Sequence, residues 1–437
     1  MTTDERLSAE EEFVARFDGD RTLLPGTLTP RQRIESLADP GTWLELGRLA
    51  RSQQRAVVDE TPADGLITGW CRVEGRLAVV LVEDPLAAAR TDGQVARNKW
   101  ERLLTTARRR GAAVIALIDG HTGATAEFGP LDGELFGHLA DGAPAAELAH
   151  PAIAVVFGAV EGPAVPLVAE ADVVIAVAGS GCDADARAAD DGEALAMARA
   201  VLGASSSPAA PTSTPPATAA GSSEVPLSAI PVTAEGVLEL VADPATTVFL
   251  GRARAVRTGL CRIKGFPVAV AVAVSGQPVG TADLAVVHRL VRAAEHLQVA
   301  ILMVQDIPGY DRGARTTRAF GEELSGIVST MRRVRAPKLV LVAGRGHVIG
   351  TFALGGRGLG VDYIVTWPWA GVALQEGVAP REGPYEAAGM GLVDDVITPA
   401  ETPERIATIL EMMAPVHVLT TPEEDRKGRV VAEISKV

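Results

Sequence analysis

The sequence is poor in aromatic residues, with nine Phe, five Trp and three Tyr among 437. A core short of large rings must be filled by Ala, Val and Leu. That suits buried strands and closely packed helices better than a β-sandwich. Cysteine is scarcer still, limited to Cys71, Cys182 and Cys261. None forms a C-x-x-C pair, so neither a disulfide framework nor a structural zinc site is indicated, and no metal is expected. Basic charge is in deficit, leaving a formal net charge of −14. A nucleic-acid partner is therefore not expected, because phosphate binding needs a basic surface. A basic stretch, RNKWERLLTTARRRG at 97–111, reads as the solvated face of a helix. Long apolar runs are also missing: FPVAVAVAV at 266–274 is too short to span a bilayer. The opening MTTDERLSAEEEF is acidic and lacks the apolar segment of a signal peptide. The expectation is a cytoplasmic protein with no membrane partner.

What the chain does have is one phrase written twice. TGWCRVEGRLAVVL at 68–81 returns as TGLCRIKGFPVAVA at 258–271. Other blocks follow in the same order. LADPGTWLEL at 37–46 answers VADPATTVFL at 241–250, and AAVIALIDGHTGA at 112–124 answers VAILMVQDIPGYD at 299–311. HPAIAVVFG at 150–158 answers APKLVLVAG at 336–344, and EADVVIAV at 170–177 answers GVDYIVTW at 360–367. Ordered repetition of this kind indicates a duplication, with the function placed where copies meet. Between the copies lies ASSSPAAPTSTPPATAAGSS at 204–223, uncharged and without large apolar residues. Such a stretch buries too little surface to offset ordering entropy and reads as a flexible linker. The expected division is a domain at 1–203, a linker at 204–224 and a second domain at 225–437.

Aliphatic runs ending in Asp or Gly, such as AVIALID and LVLVAG, read as buried strands. Helical stretches lie between them. One places Val95, Trp100, Leu103 and Leu104 on a single face and closes at Gly111. Alternation of this kind predicts α/β layers. Four glycine-bearing corners follow strands: DGHTGATAEFG at 119–129, GAVEGPAVP at 158–166, QDIPGYDRG at 305–313 and GRGHVIGTFALGG at 344–356. Free backbone N–H groups at such corners can steady a carbonyl oxygen that gains negative charge. Small residues let the backbone come close enough to do so.

Together these blocks resemble the carboxyltransferase beta subunit of biotin-dependent acyl-CoA carboxylases. The likeness runs from LTPRQRIESLADPGTWLEL at 28–46 to GLVDDVITPAETPERIATIL at 391–410 and is most specific in the second half. It implies two tandem crotonase-like ββα superhelix domains related by duplication. It also implies acyl-CoA against the first half and carboxybiotin against the second half of a partner copy. The biotin would be carried by another protein. Further implied are a homo-oligomer, in the form of a hexamer, and a biotin carboxylase and carrier as partners. Carried onto this sequence, the biotin-side oxyanion hole falls on Gly350 and Thr351, beside the turn Asp306, Pro308, Gly309 and Tyr310. On the acyl side the matching corners supply Gly123, Ala124 and Gly162.

The first half departs from the family pattern. Its first corner lacks the family's arginine, and Pro163, which has no N–H, stands where a donor is expected. Only SGCDADARAAD separates the strand ADVVIAVAG from the helix DGEALAMARAVL, where the family has several dozen residues. His121, Glu161 and His347 are candidate acid/base groups at these corners. The leading reading is a transferase moving a carboxyl group between carboxybiotin and an acyl thioester through an oxyanion-stabilised enolate. Two alternatives stand beside it: a biotin-independent malonyl- or methylmalonyl-thioester decarboxylase, and a non-catalytic assembly subunit.

Overall fold

The structure, a computed structural model, describes residues 27–53, 61–88, 94–120, 151–160, 164–204, 233–273, 277–347, 355–373 and 383–413. In the first half the aliphatic runs become β1 (Leu44–Leu46), β2 (Leu66–Val73), β3 (Arg76–Glu83), β4 (Ala113–Ile118), β5 (Ala152–Val156), β6 (Val173–Val177) and β7 (Ala186–Ala188). They form one sheet in that order. The pairings of β1, β2 and β3 are antiparallel, and those from β3 onward are parallel.

The second half repeats the plan. Its strands are β8 (Val248–Arg252), β9 (Val256–Ile263), β10 (Phe266–Ala273), β11 (Ala300–Gln305), β12 (Lys338–Val342), β13 (Arg345–His347), β14 (Tyr363–Thr366), β15 (Gly371–Ala373) and β16 (Asp395–Val396). The main sheet runs β8-β9-β10-β11-β12-β14-β16, while β13 and β15 form a small parallel ribbon. Every residue of β4, β5, β11 and β12 is buried. Parallel strands buried on both faces need helices on both sides, which gives the α/β layering that the sequence predicts. The helix Gln94–Arg110 buries Trp100, Leu103, Leu104 and Ala107, and the chain leaves it through Gly111 at φ 61°.

The twice-written phrase turns out to be a hairpin and its latch. Cys71 pairs with Ala78 and Cys261 with Val268, so the two hairpins share one register. Each turns through two residues of positive φ, Glu74-Gly75 and Lys264-Gly265, the geometry that matches the twist of paired strands. Asp39 accepts from the turn amides of Glu74 and Gly75 at 3.1 and 2.8 Å. Asp243 does the same for Lys264 and Gly265 at 2.8 and 2.7 Å. Arg72 and Arg262 then donate to the carbonyls of Gly75 and Gly265 at 2.7 and 2.8 Å. The repetition is structural: the A-D-P blocks and the C-R-x-x-G blocks are partners.

The halves share one core, in which Cys71, Val80 and Leu195 of the first half join Leu260, Val287 and Leu290 of the second. Polar contacts cross the same boundary. Arg262 donates to the Gly203 carbonyl at 2.8 Å, Arg289 meets Asp185 at 2.8 Å, and His296 Nδ1 lies 2.5 Å from Asp172 Oδ1. Beyond Ala204, the linker expected at 204–224 lies outside the described residues. No helix among the described residues is long and apolar enough to cross a membrane.

Candidate functional site

In open α/β sheets, ligands meet the carboxyl ends of the parallel strands. In the second half β11 ends at Gln305, and the chain enters the turn Asp306–Tyr310. The Asp306 carboxylate is almost wholly buried. Its Oδ1 accepts from the Arg345 amide at 2.9 Å and from Arg345 Nε at 3.3 Å. The Ile307 amide returns a bond to the Arg345 carbonyl at 2.9 Å. The turn from β11 and the corner after β12 are thereby tied together. Gly309, at φ 135°, reverses the chain, and its carbonyl accepts from Val279 at 3.0 Å. The Tyr310 ring meets Phe320 edge-on at 5.1 Å, anchoring the turn to the helix Arg318–Arg333.

Absent side chains shape this corner. A Cβ on Gly344 would lie 2.5 Å from Asp306 Cγ, and one on Gly346 would lie 2.5 Å from Val342 Cγ1. Only glycine lets the two strand ends approach so closely. The Gly371 amide closes the corner on the Gly344 carbonyl at 2.9 Å, joining β14's exit to it.

The first half builds the same corner with different parts. Asp119, at the end of β4, occupies the place of Asp306, and Gly158, after β5, that of Gly344. A Cβ on Gly158 would collide with the Asp119 carbonyl, and one on Gly120 with the Ala159 carbonyl. Here the guanidinium comes from far away. Arg33, on the helix Pro30–Leu37, has a side chain with 0% exposure. It donates to Asp119 at 2.6 Å and to Asp191 at 3.0 Å, and lies 3.7 Å over the Phe157 ring. Its Nη2 is buried without a hydrogen-bond partner among the described residues. The amides of Asp119 and Gly120 both donate to Glu83 Oε2 at 3.1 Å. A carboxylate of the chain itself thus engages the first two N–H groups of this corner.

Of the residues singled out in the sequence, the structure brings together Asp306, Pro308, Gly309 and Tyr310 in one turn. It places His347 at the end of β13, in the same corner. His121, Gly123, Ala124, Glu161, Gly162, Gly350 and Thr351 lie outside the described residues. Sequence reasoning passed over Arg33, Glu83 and Arg345. All three stand in quoted segments or strand ends, but nothing local marks their side chains as bonded into a corner.

A family model described as "Carboxyl transferase domain" matches residues 23–184. The match falls in the first half, although the sequence motifs are most specific in the second. A putative propionyl-CoA carboxylase beta chain of Bacillus subtilis is 24% identical, over 92% of this chain and 92% of its own. A propionyl-CoA carboxylase beta chain of Saccharopolyspora erythraea is 23% identical, over 89% and 88%. Among solved structures, transcarboxylase 12S, described as a hexamer assembly with methylmalonyl-coenzyme A and methylmalonic acid bound, superposes with a TM-score of 0.77. It is 20% identical and the match covers 97% of this chain and 98% of that one. The fold is the two-domain crotonase type.

Proposed function

We propose that the chain belongs to the carboxyltransferase beta-subunit family and moves a carboxyl group between carboxybiotin and an acyl thioester, a reading supported by the family model and the similar beta chains. The observation that carries this reading is the second-half corner. There a buried Asp306, a glycine-backed approach at Gly344 and a fixed turn hold strand-end backbone in one place. The missing side chains of Gly344 and Gly346 let Asp306 and Val342 pack directly on the backbone, which holds the corner rigid.

The roles follow from that arrangement. Biotin on a partner carrier would deliver the carboxyl group to the second half, where the amides of Gly350 and Thr351 are the proposed donors. The acyl thioester would sit against the first half, its carbonyl oxygen gaining charge as the α-carbon becomes nucleophilic. Donors aimed at that oxygen are worth about 3–4 kcal/mol each. Because Glu83 engages the amides at 119–120, donors there would come from the segments that hold Gly123, Ala124 and Gly162. His121, Glu161 and His347 remain proposed acid/base groups. A hexamer with a biotin carboxylase and a biotin carrier as partners belongs to the same proposal.

A second reading is favoured by the same Glu83 contact together with Pro163. A first half with fewer free donors suits a biotin-independent decarboxylase or a non-catalytic assembly subunit. The deciding experiment incubates the purified chain with malonyl-CoA, with and without free biotin. Carboxyl transfer to biotin supports the leading reading. Loss of CO2 at the same rate without biotin supports the decarboxylase. No turnover, combined with co-purification of an active carboxyltransferase, supports the assembly role.

A further inference from the structure

We propose that Arg33 and Arg345 are paired positioning residues, each holding the strand-end corner of one half and thereby one of the two substrates. The inference rests on the carboxyltransferase reading for which substrate each half takes, but its geometric part stands alone.

Both corners begin with an aspartate at the end of the second parallel strand, Asp119 or Asp306. Both have a glycine, Gly158 or Gly344, whose missing Cβ admits that aspartate's strand. Both close with a guanidinium on the carboxylate, at 2.6 Å for Arg33 and 3.3 Å for Arg345. The source of the guanidinium is what differs. Arg345 lies on β13, immediately after the corner it holds, and its side chain keeps 47% exposure. Arg33 lies on the helix Pro30–Leu37 and is fully buried. From there it holds three roots at once: Asp119 at the end of β4, the Phe157 ring after β5, and Asp191 at the start of the helix Asp191–Ala204. The two first-half corners, 119–129 and 158–166, both spring from residues under this one side chain. A planar fork that bonds in two directions and stacks on a ring cannot be replaced by an ammonium group.

The two clamps therefore act on different substrates. Arg33→Lys should lower kcat/KM for malonyl-CoA by about 10- to 100-fold through misplaced donors, with KM for free biotin unchanged. Arg345→Lys should show the reverse pattern, and more weakly, because its ion pair is half exposed. Asp119→Asn serves as the milder first-half variant should Arg33→Lys fold poorly, since it leaves the Arg33–Asp191 bond intact. An equal rise in KM for both substrates in either variant overturns the proposal.

Amide hydrogen exchange supplies a readout free of turnover. In Arg33→Lys or Asp119→Asn, peptides spanning 113–120 and 152–160 should exchange at least 10-fold faster, with 300–311 and 338–347 unchanged. Arg345→Lys should do the opposite. Faster exchange in both halves, or in neither, overturns the clamps. If the unmodified chain turns over neither substrate, the functional reading fails while the exchange pattern still decides whether the clamps exist.

Discussion

Lys99 carries a burial cost that should be visible in a titration. Its Nζ donates to the Ala63 carbonyl at 3.0 Å and to the Leu66 carbonyl. It thereby fastens a left-handed run in which Ala63, Asp64 and Gly65 have φ of 54°, 56° and 76°. Burial pushes its pKa down to about 8, with Glu45 and Asp64 opposing. A folded value below the unfolded one means that the unfolded chain binds more protons between the two. Stability should therefore rise as pH goes from about 8 toward about 10.4, the unfolded lysine value. Urea denaturation at pH 8 and pH 10 should show that rise, and Lys99→Met should flatten it. The same variant should cost about 1–3 kcal/mol by leaving two carbonyls without their donor. Thiols give a simpler check. Burial pushes Cys71 and Cys261 up to about 12. Cys182 is only half-buried. A thiol reagent at pH 8 should modify one cysteine in the folded chain and all three after denaturation.

At the scale of elements, the hairpin latch makes the clearest prediction. Removing the Asp243 carboxylate leaves the Lys264 and Gly265 amides without their acceptor, so Asp243→Ala should cost about 1–3 kcal/mol. Asp39→Ala should cost more, because Arg199 also binds Asp39 at 3.0 Å. Burial raises the Asp39 pKa, but the Gly75 amide, the Arg199 guanidinium and the Glu74 amide together hold it below the usual carboxylate value. Its contribution is therefore present above about pH 3.9 and lost as pH falls through the lower folded value. Thermal melts at pH 6 and pH 3 should differ less for Asp39→Asn than for the unmodified chain. This latch was legible as a repetition in the sequence, since both of its parts recur in order. Its bonding was not, because nothing in the spacing says that the A-D-P loop reaches back to the C-R-x-x-G turn.

For the whole molecule, the shared core predicts a single unfolding event. Leu195 and Val287 belong to one cluster, and Arg262, Arg289 and His296 reach across the boundary. Calorimetry should record one transition covering both halves; two separated transitions would contradict the shared core. The second-half turn was readable because Asp306, Pro308, Gly309 and Tyr310 are consecutive enough to form one turn by local geometry. The first-half corner was not. Arg33 finds Asp119 across 86 residues and Asp191 across 158. Duplication, strand succession and the α/β layering followed from the sequence alone, because periodicity and repeated blocks are local properties of the chain. Which charges are buried, and which strand ends they hold, only the tertiary structure decided. A side chain's partners are set by what packing brings within about 3 Å, and no spacing along the chain encodes that distance.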